Sequence, residues 1–320
     1  MHAAELLRYH PAFIEEAVFC CARQSREARR YQRERNRLYE IADIDQRDRA
    51  FQEFNLSWFK RLELAAPIEK AVGEQPLIGA NVKWCAVARA AGRKEEGAEL
   101  FVSPETSLSE RERRSVAILL RPESLLAPEP LLTFLRHELF HIADMLDPSF
   151  GYEPSLPVAQ RGPAHDALLK ERYRALWDAT INGRMVRRGW LDPSARAAEL
   201  ESFRRAFPAF GDETEAIFSR FFDQEPHTHA ELLALASEPL SDRGYPASAT
   251  KNPTRCPLCR FPTLDFESAG LDEETITEIR RDFPSWDPSR GLCIQCADLY
   301  RARRLSLAAA RALPGAAART

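Results

Sequence analysis

The chain has 320 residues, of which 44% are hydrophobic and 29% are charged, and its formal net charge is −3. This composition is typical of globular proteins, and the length favours two domains or one domain with appendages. Since no run of about 18 apolar residues occurs, the sequence predicts no membrane-spanning helix and no membrane partner. The near balance of 45 basic and 48 acidic residues argues against a broadly nucleic-acid-binding surface. The first nine residues lack the pattern of a secretory signal, which predicts a cytoplasmic protein.

Residues 1–75 have the pattern of charged helices. Seven arginines lie among acidic residues between positions 15 and 37. Such a mixed-sign pattern is usual for a solvated helix face, and a basic strip that binds an acidic partner is the alternative. A further helix is predicted over 47–72, with an apolar side that includes Phe51 and Trp58.

The pattern then changes to short apolar runs. Val82–Ala90 and Ala98–Val102 flank a glycine-containing turn and predict a β-hairpin, and Ser115–Leu120 predicts a third strand. Long helices are predicted over 130–147 and 164–188. A proline directly after the first and a glycine directly after the second mark their ends.

These elements predict an α+β protein that is mainly helical. After the N-terminal helices, the body covers 76–240, with a core at 80–190 and a helical extension at 191–238. A stretch rich in Ser, Pro, Gly and Asn predicts a linker at 241–253. A small cysteine-bearing module is predicted at 254–310.

The first candidate site is the HExxH motif formed by His137, Glu138 and His141. Histidines four residues apart lie on one helix face, where both can bind one zinc ion. The glutamate beside the first histidine can take a proton from a water molecule on that metal. The helix is expected to present both histidines and Asp144 on the side opposite an apolar stripe. The stripe consists of Leu131, Leu135, Leu139, Ile142 and Leu146.

Over residues 80–190, the strands, the motif helix and the helix that follows resemble the zincins, the HExxH zinc metallopeptidases, in a gluzincin-like or aspzincin-like form. The resemblance implies a zincin-like core with a short β-sheet, the HExxH helix and a following ligand helix. It implies that His137 and His141 are zinc ligands and that Glu138 is the general base. It also implies an edge strand that holds an extended peptide beside the motif helix, for which Ser115–Leu120 is the candidate.

A catalytic zinc site is expected to have a third protein ligand. The chain lacks the glycine of the metzincin pattern, although Asp147 stands where some metzincins have an aspartate ligand. In the second long helix, Glu171 and Asp178 share a face, and either is a candidate third ligand. The aspzincin form uses an aspartate, and Asp178 lies in the denser local pattern. Asp144 is predicted to orient a ligand imidazole.

The second candidate site consists of two CxxC pairs, Cys256 with Cys259 and Cys293 with Cys296, separated by 33 residues. Four thiolates at this spacing predict a closed structural zinc site. A short helix over 272–283 is expected between the pairs. A CPxC turn followed by a pair that opens a helix resembles the treble-clef zinc modules. The other three cysteines are predicted to be buried thiols: Cys20, Cys21 and Cys85.

Together these features predict a zinc-dependent metallohydrolase with one catalytic and one structural zinc ion. It is expected to be a soluble peptidase that acts on a peptide or protein substrate. The alternative is a non-catalytic zinc-binding adaptor or regulatory protein that docks a protein partner through the C-terminal module. Arg301, Arg303 and Arg304 follow the last cysteine, which leaves a nucleic-acid partner, or a peptidase guided by DNA, as a weaker option.

Overall fold

A computed structural model of the chain describes residues 3–154, 163–225, 227–237, 254–263, 266–267 and 271–312. The chain divides into two units. The first comprises Met1–Tyr152 and Arg188–Leu191, and the second comprises Glu153–Arg187 and Asp192–Thr320. The division runs through the predicted body at 76–240. The predicted linker at 241–253 lies outside the described residues.

The first unit combines eight α-helices with a small sheet within the described range. Its elements are α1 (Ala3–Leu6), β1 (Leu7–Tyr9), α2 (Pro11–Gln24), α3 (Ala28–Leu38), α4 (Ile44–Arg61), α5 (Ala66–Gly73), α6 (Pro76–Asn81), β2 (Trp84–Arg89), β3 (Gly97–Val102), α7 (Glu110–Arg113), β4 (Arg114–Leu120) and α8 (Pro128–Leu146). The arginine-rich stretch therefore forms two helices. The break follows Ser25, whose hydroxyl donates to the Ala22 carbonyl at 2.8 Å and accepts from the Glu27 amide at 3.1 Å.

The four strands of the first unit form one mixed sheet in the order β1-β2-β4-β3. β2 runs parallel to both β1 and β4, whereas β3 is antiparallel to β4. Trp84 pairs with Ser115, and Gly97 pairs with Leu119. Buried side chains alternate along β4, and the sheet contributes Val87, Val116 and Ile118 to the core of this unit.

Two sequence predictions about this sheet are wrong. Val82–Ala90 and Ala98–Val102 do not form a hairpin, because β4 lies between β2 and β3 and pairs with both. Ser115–Leu120 is for the same reason not an edge strand; β3 occupies that edge. The nearly continuous apolar sequence of β4 suits an interior strand, whereas β3 leaves Phe101 52% exposed.

The second unit is built around one long helix. Its elements are α9 (Pro163–Arg187), α10 (Ala195–Ala206), α11 (Thr214–Asp223), α12 (His229–Ser237), β5 (Thr254–Arg255), β6 (Pro262–Thr263), β7 (Phe266–Glu267), α13 (Glu273–Asp282), β8 (Leu292–Cys293) and α14 (Ile294–Ala312). β5 pairs with β6, and β7 pairs with β8, in both cases antiparallel. The predicted helix between the cysteine pairs is present as α13, and Asp272 caps it, because its carboxylate accepts from the Thr275 amide at 2.9 Å.

Gly183 allows α9 and α11 to pack with their backbones in close contact. A Cβ at this position would lie 1.9 Å from the carbonyl oxygen of Phe222, well inside van der Waals contact. Only glycine fits there without a shift of one helix. The close packing of α9 against α11 therefore explains why a glycine occurs inside this helix.

The predicted class, a mainly helical α+β protein, is confirmed in its coarse form: helices dominate and the larger sheet is small and mixed. Within the part of the chain that the structure describes, no helix has both the length and the apolar character needed to cross a bilayer.

Two candidate metal sites

The HExxH motif lies in the second half of α8, which begins with Pro128 at its first turn. The predicted apolar stripe is confirmed, since all five of its residues are buried: Leu131, Leu135, Leu139, Ile142 and Leu146. His137 and His141 are only half-buried, and their ring centroids lie 5.0 Å apart with the ring planes inclined by 75°. The helix thus buries one face and presents two neighbouring imidazoles on another.

The Glu138 carboxylate is held at the start of the edge strand β3. One of its oxygens accepts from the Ala98 amide at 3.4 Å, and the other lies 3.3 Å from Nδ1 of His137. Burial raises the pKa of Glu138. The hydrogen bond from His137 and the charges of both motif histidines more than offset that effect, so the pKa lies below its ordinary value. Glu138 is therefore ionised at neutral pH and can accept a proton.

Gly97 leaves room for this carboxylate. A Cβ at position 97 would lie 3.1 Å from Oε2 of Glu138, which is tighter than an ordinary contact. The sequence alone predicts only that Gly97 ends a turn between two strands. Its role depends on the pairing of β3 with β4 and on the position of α8, neither of which a local pattern reveals.

A bidentate ion pair fixes the motif helix within the first unit. Nε and Nη2 of Arg136 each lie 2.7 Å from a carboxylate oxygen of Glu74, just after α5. The Arg136 guanidinium also stacks over Trp190 at 4.5 Å from the ring centre. A bidentate ion pair of this kind is stronger than a single hydrogen bond between surface charges. Sequence reasoning missed this pair, because Glu74 and Arg136 are 62 positions apart.

His137 and His141 form a group with Asp178, in which each residue offers one ligand atom and these atoms lie within 4.8 Å of one another. A set of two imidazoles and one carboxylate is a known arrangement for catalytic zinc. Of the two predicted third ligands, the structure places Asp178 in this group. Glu171 is exposed and belongs to no candidate metal group among the described residues.

The other acids near the motif have different surroundings. Asp144, the predicted orienting residue, is buried on α8. Asp147 accepts from the amide and the hydroxyl of Ser149, at 2.8 Å and 2.7 Å, in the turn that follows α8. Asp147 thus stabilises a turn and is not in the group with His137 and His141. Asp178 has Nε of Arg174 3.6 Å from its carboxylate, one turn earlier on α9.

The four-cysteine group lies in the second unit and is fully enclosed. All four side chains are buried, and their sulfurs lie within 4.8 Å of one another. The Cys256 and Cys296 sulfurs are 3.9 Å apart, and those of Cys259 and Cys293 are 3.8 Å apart. A tetrahedral zinc site with Zn–S bonds of about 2.3 Å has its sulfurs roughly 3.8 Å apart. The group can therefore hold a metal ion such as zinc.

The backbone of the module directs its amides toward these sulfurs. The Cys293 amide donates to the Cys256 sulfur, and the Cys296 amide to the Cys293 sulfur, each at 3.4 Å. Hydrogen bonds from Cys259 and the other two thiols hold the pKa of Cys256 well below its usual range. At Cys256 both effects favour the thiolate, which is the form that binds metals. The CPxC turn closes at Arg260, whose φ of 64° is rare for a non-glycine residue.

The remaining cysteines lie apart from both groups. Cys21 and Cys85 are buried, as predicted, and burial raises the pKa of each thiol to about 12. Cys20 is partly exposed on α2, so that part of the prediction is wrong. Its helix position places it beside the exposed ring of Phe19, at the margin of the core.

Two of the three arginines after the last cysteine are engaged within the module. Arg303 pairs with Asp282, which also accepts from the Tyr300 hydroxyl at 2.9 Å. Arg301 pairs with Asp298 at 3.3 Å. The side chain of Arg304 lies outside the described residues. These contacts give no support to a phosphate-binding role for Arg301 and Arg303.

Comparisons of the chain with protein-family models, curated proteins and solved structures gave no match. The two candidate metal sites are therefore the features of the chain that indicate a function.

Proposed function

We propose that this protein is a zinc-dependent metallohydrolase, specifically a peptidase with a zincin-like core. The observation that carries the proposal is the geometry of α8. Two imidazoles lie one helical turn apart, and the Glu138 carboxylate beside them accepts a hydrogen bond from the Ala98 amide of an edge strand. An isolated HExxH sequence on a solvated helix would lack that anchored carboxylate.

His137, His141 and Asp178 are the residues that would hold the catalytic metal. The donor set fits zinc, and three protein ligands leave a fourth position open for water or substrate. When bound, zinc supplies Lewis acidity that polarises a substrate carbonyl and makes water easier to deprotonate. Asp144 is buried on the same helix, where we propose that it helps to orient a ligand imidazole.

Glu138 is the proposed general base. Being ionised, it takes the proton of the attacking water at a carboxylate oxygen and returns that proton to the leaving amine. The Ala98 amide and Gly97 define where this carboxylate lies. Proton transfer of this kind contributes roughly 10²–10⁴-fold to a rate.

The edge strand β3 is the proposed docking site for the substrate chain. Within the described sheet, β3 pairs with β4 on one side only, so the backbone groups on its other side are available to an extended peptide. Its exposed Phe101 and Val102 add apolar surface. A peptide or protein substrate is thus the class that the site supports best.

The four cysteines are proposed to bind a structural zinc ion. Four thiolates complete the tetrahedron and leave no position open, and the site is buried. Its contribution is to the folding of the second unit and not to the reaction.

The competing proposal is a zinc-binding adaptor without catalysis. The contact between Arg174 and the Asp178 carboxylate favours it, since an ion pair there competes with metal coordination. Metal counting separates the two proposals. The enzyme requires two zinc ions per chain, whereas the adaptor requires one, which is lost on substitution of Cys256.

The test is the substitution Glu138→Gln, assayed on an unfolded protein substrate with zinc counted in the same preparation. We expect hydrolysis to fall by at least about 100-fold, while two zinc ions per chain remain. Glu129→Gln, an exposed change in the first turn of the same helix, is the matched control and should keep full activity. Unchanged hydrolysis by Glu138→Gln would contradict the mechanism.

A further inference from the structure

Arg172 on α9 carries a buried positive charge. It is 2% exposed, and its Nε donates to the carbonyl of Ala206 at 3.1 Å. Its guanidinium carbon lies 3.9 Å from the centre of the Phe261 ring. Among the described residues, no carboxylate lies within salt-bridge distance of this guanidinium. A buried charge without a counter-charge is strongly destabilising, so Arg172 needs a negative neighbour.

The cysteine group supplies that neighbour. Burial lowers the pKa of Arg172 to about 10, and the negative charges of Cys259, Cys293 and, to a smaller extent, Glu171 act in the opposite direction. The guanidinium therefore stays charged at neutral pH. Four thiolates around one divalent zinc ion leave a net charge of about −2 on the site, which a nearby cation stabilises. Arg172 contacts the ring of Phe261, two residues after Cys259, and from this position it offsets part of the charge.

Two further contacts join α9 and α10 to the metal module within the second unit. Leu168, one turn before Arg172, is fully buried in the same cluster as the four cysteines and Trp286. Gln295, which lies between the second pair of cysteines, donates to the carbonyls of Arg205 and Ala206 at 2.9 Å and 3.2 Å. The Ala206 carbonyl thus accepts from both Arg172 and Gln295.

We propose that Arg172 is a positioning residue through which metal at the four-cysteine site holds α9 in place, so that loading of the structural site controls the order of the helix that carries Asp178. Asp178 lies six residues after Arg172, about 9 Å along the helix. This inference rests on the proposed occupancy of the cysteine site, and it adds a coupling between the structural metal and a catalytic ligand.

The first test compares Arg172→Met, Arg172→Lys and the control Lys170→Met, an exposed change on the same helix. We expect Arg172→Met to release zinc from the cysteine site about tenfold faster or more, because a hydrogen-bonded charge is lost. With cobalt in place of zinc, the sulfur-to-cobalt charge-transfer band should move to longer wavelength. Arg172→Lys should partly restore both the rate of zinc release and the wavelength of the band, and Lys170→Met should match the unmodified chain.

Loss of packing alone would leave the charge-transfer band of Arg172→Met unchanged, and that result would overturn the proposed role of Arg172. The same conclusion would follow if Arg172→Lys behaved like Arg172→Met in the cobalt spectrum.

The second test uses amide hydrogen exchange and does not depend on Arg172 variants that fold. Removal of metal from the cysteine site of the full-length chain should speed exchange along α9 and leave α8 protected. The chain with His141→Ala, which lacks the other site, should keep α9 protected. Unchanged α9 exchange after metal removal would overturn the coupling alone. A chain that never binds metal at the cysteines would instead overturn the proposed structural site.

Discussion

The two candidate metal sites differ in ligand type, exposure and position in the chain. The site on α8 uses imidazoles and a carboxylate, and the side chains of His137 and Glu138 are 21% and 22% exposed. The site in the second unit uses four thiols, all buried. Three ligands with access to solvent suit an ion that must meet a substrate, whereas four enclosed thiolates suit an ion that holds a fold together.

The comparison teaches that the two candidate sites differ in how far the surrounding structure depends on them for its stability. The HExxH helix is already supported by its apolar stripe and by the Arg136–Glu74 pair, so its geometry does not require a metal. The cysteine module has short two-residue strands and a small core built around the sulfurs themselves. Its folding is expected to depend on the ion.

The largest expected effect is the loss of the enclosed site. Cys256→Ser should remove one zinc ion per chain and unfold the module, because structural zinc contributes about 10–16 kcal/mol in small zinc domains. Amide exchange over residues 254–300, with zinc counting, measures this. Cys20→Ser, a partly exposed thiol on α2, is the control and should keep both ions. If the amides of the module stayed protected from exchange in Cys256→Ser, the sulfurs would not be needed as metal ligands.

A smaller effect is expected when only the carboxylate of the open site moves. Gly97→Ala places a Cβ 3.1 Å from Oε2 of Glu138, so the carboxylate must shift by a few tenths of an ångström. We expect hydrolysis to fall by about tenfold, since a 1 Å misplacement costs about 100-fold. Zinc content and melting temperature should stay unchanged. Gly92→Ala, which has open space around its Cβ, is the control. Full activity in Gly97→Ala would argue against Glu138 as the base in this position.

The smallest expected effect concerns the turn of the enclosed site. Arg260 has a φ of 64°, a conformation that costs a non-glycine residue about 1 kcal/mol. Arg260→Gly should stabilise the zinc-loaded module by about 0.5–1 kcal/mol, measured by thermal unfolding. Arg260→Ala keeps the Cβ and should give no gain. Equal effects of glycine and alanine would mean that the side chain, and not the backbone, sets the stability of the turn.

Local spacing predicted both sites. The spacing of His137 and His141 indicates a shared site, because residues four apart lie one helical turn from each other. The CxxC pairs indicate another, because neighbouring thiols can chelate one ion. The helix that carries Asp178 was also predicted, because its apolar positions repeat with helical period. The choice between Asp178 and Glu171 stayed open, since both lie on one helix face and only tertiary structure separates them.

Contacts between distant segments could not be predicted in this way. In the sheet, β4 lies between β2 and β3, whereas the local pattern predicts that β2 and β3 pair directly as a hairpin. The Arg136–Glu74 pair, the space at Gly97 and the contact of Arg172 with Phe261 all join segments far apart in sequence. None of them has a periodic or motif signal. They become visible only once packing is known.

The most direct test of the two-site account is the release of zinc to a chelator, with the number of ions counted. The unmodified chain should hold two zinc ions and release them in two phases, a fast one from the open site and a slow one from the enclosed site. His141→Ala should hold one ion and show the slow phase only. A single ion that is lost on Cys256→Ser and kept in His141→Ala would contradict the account.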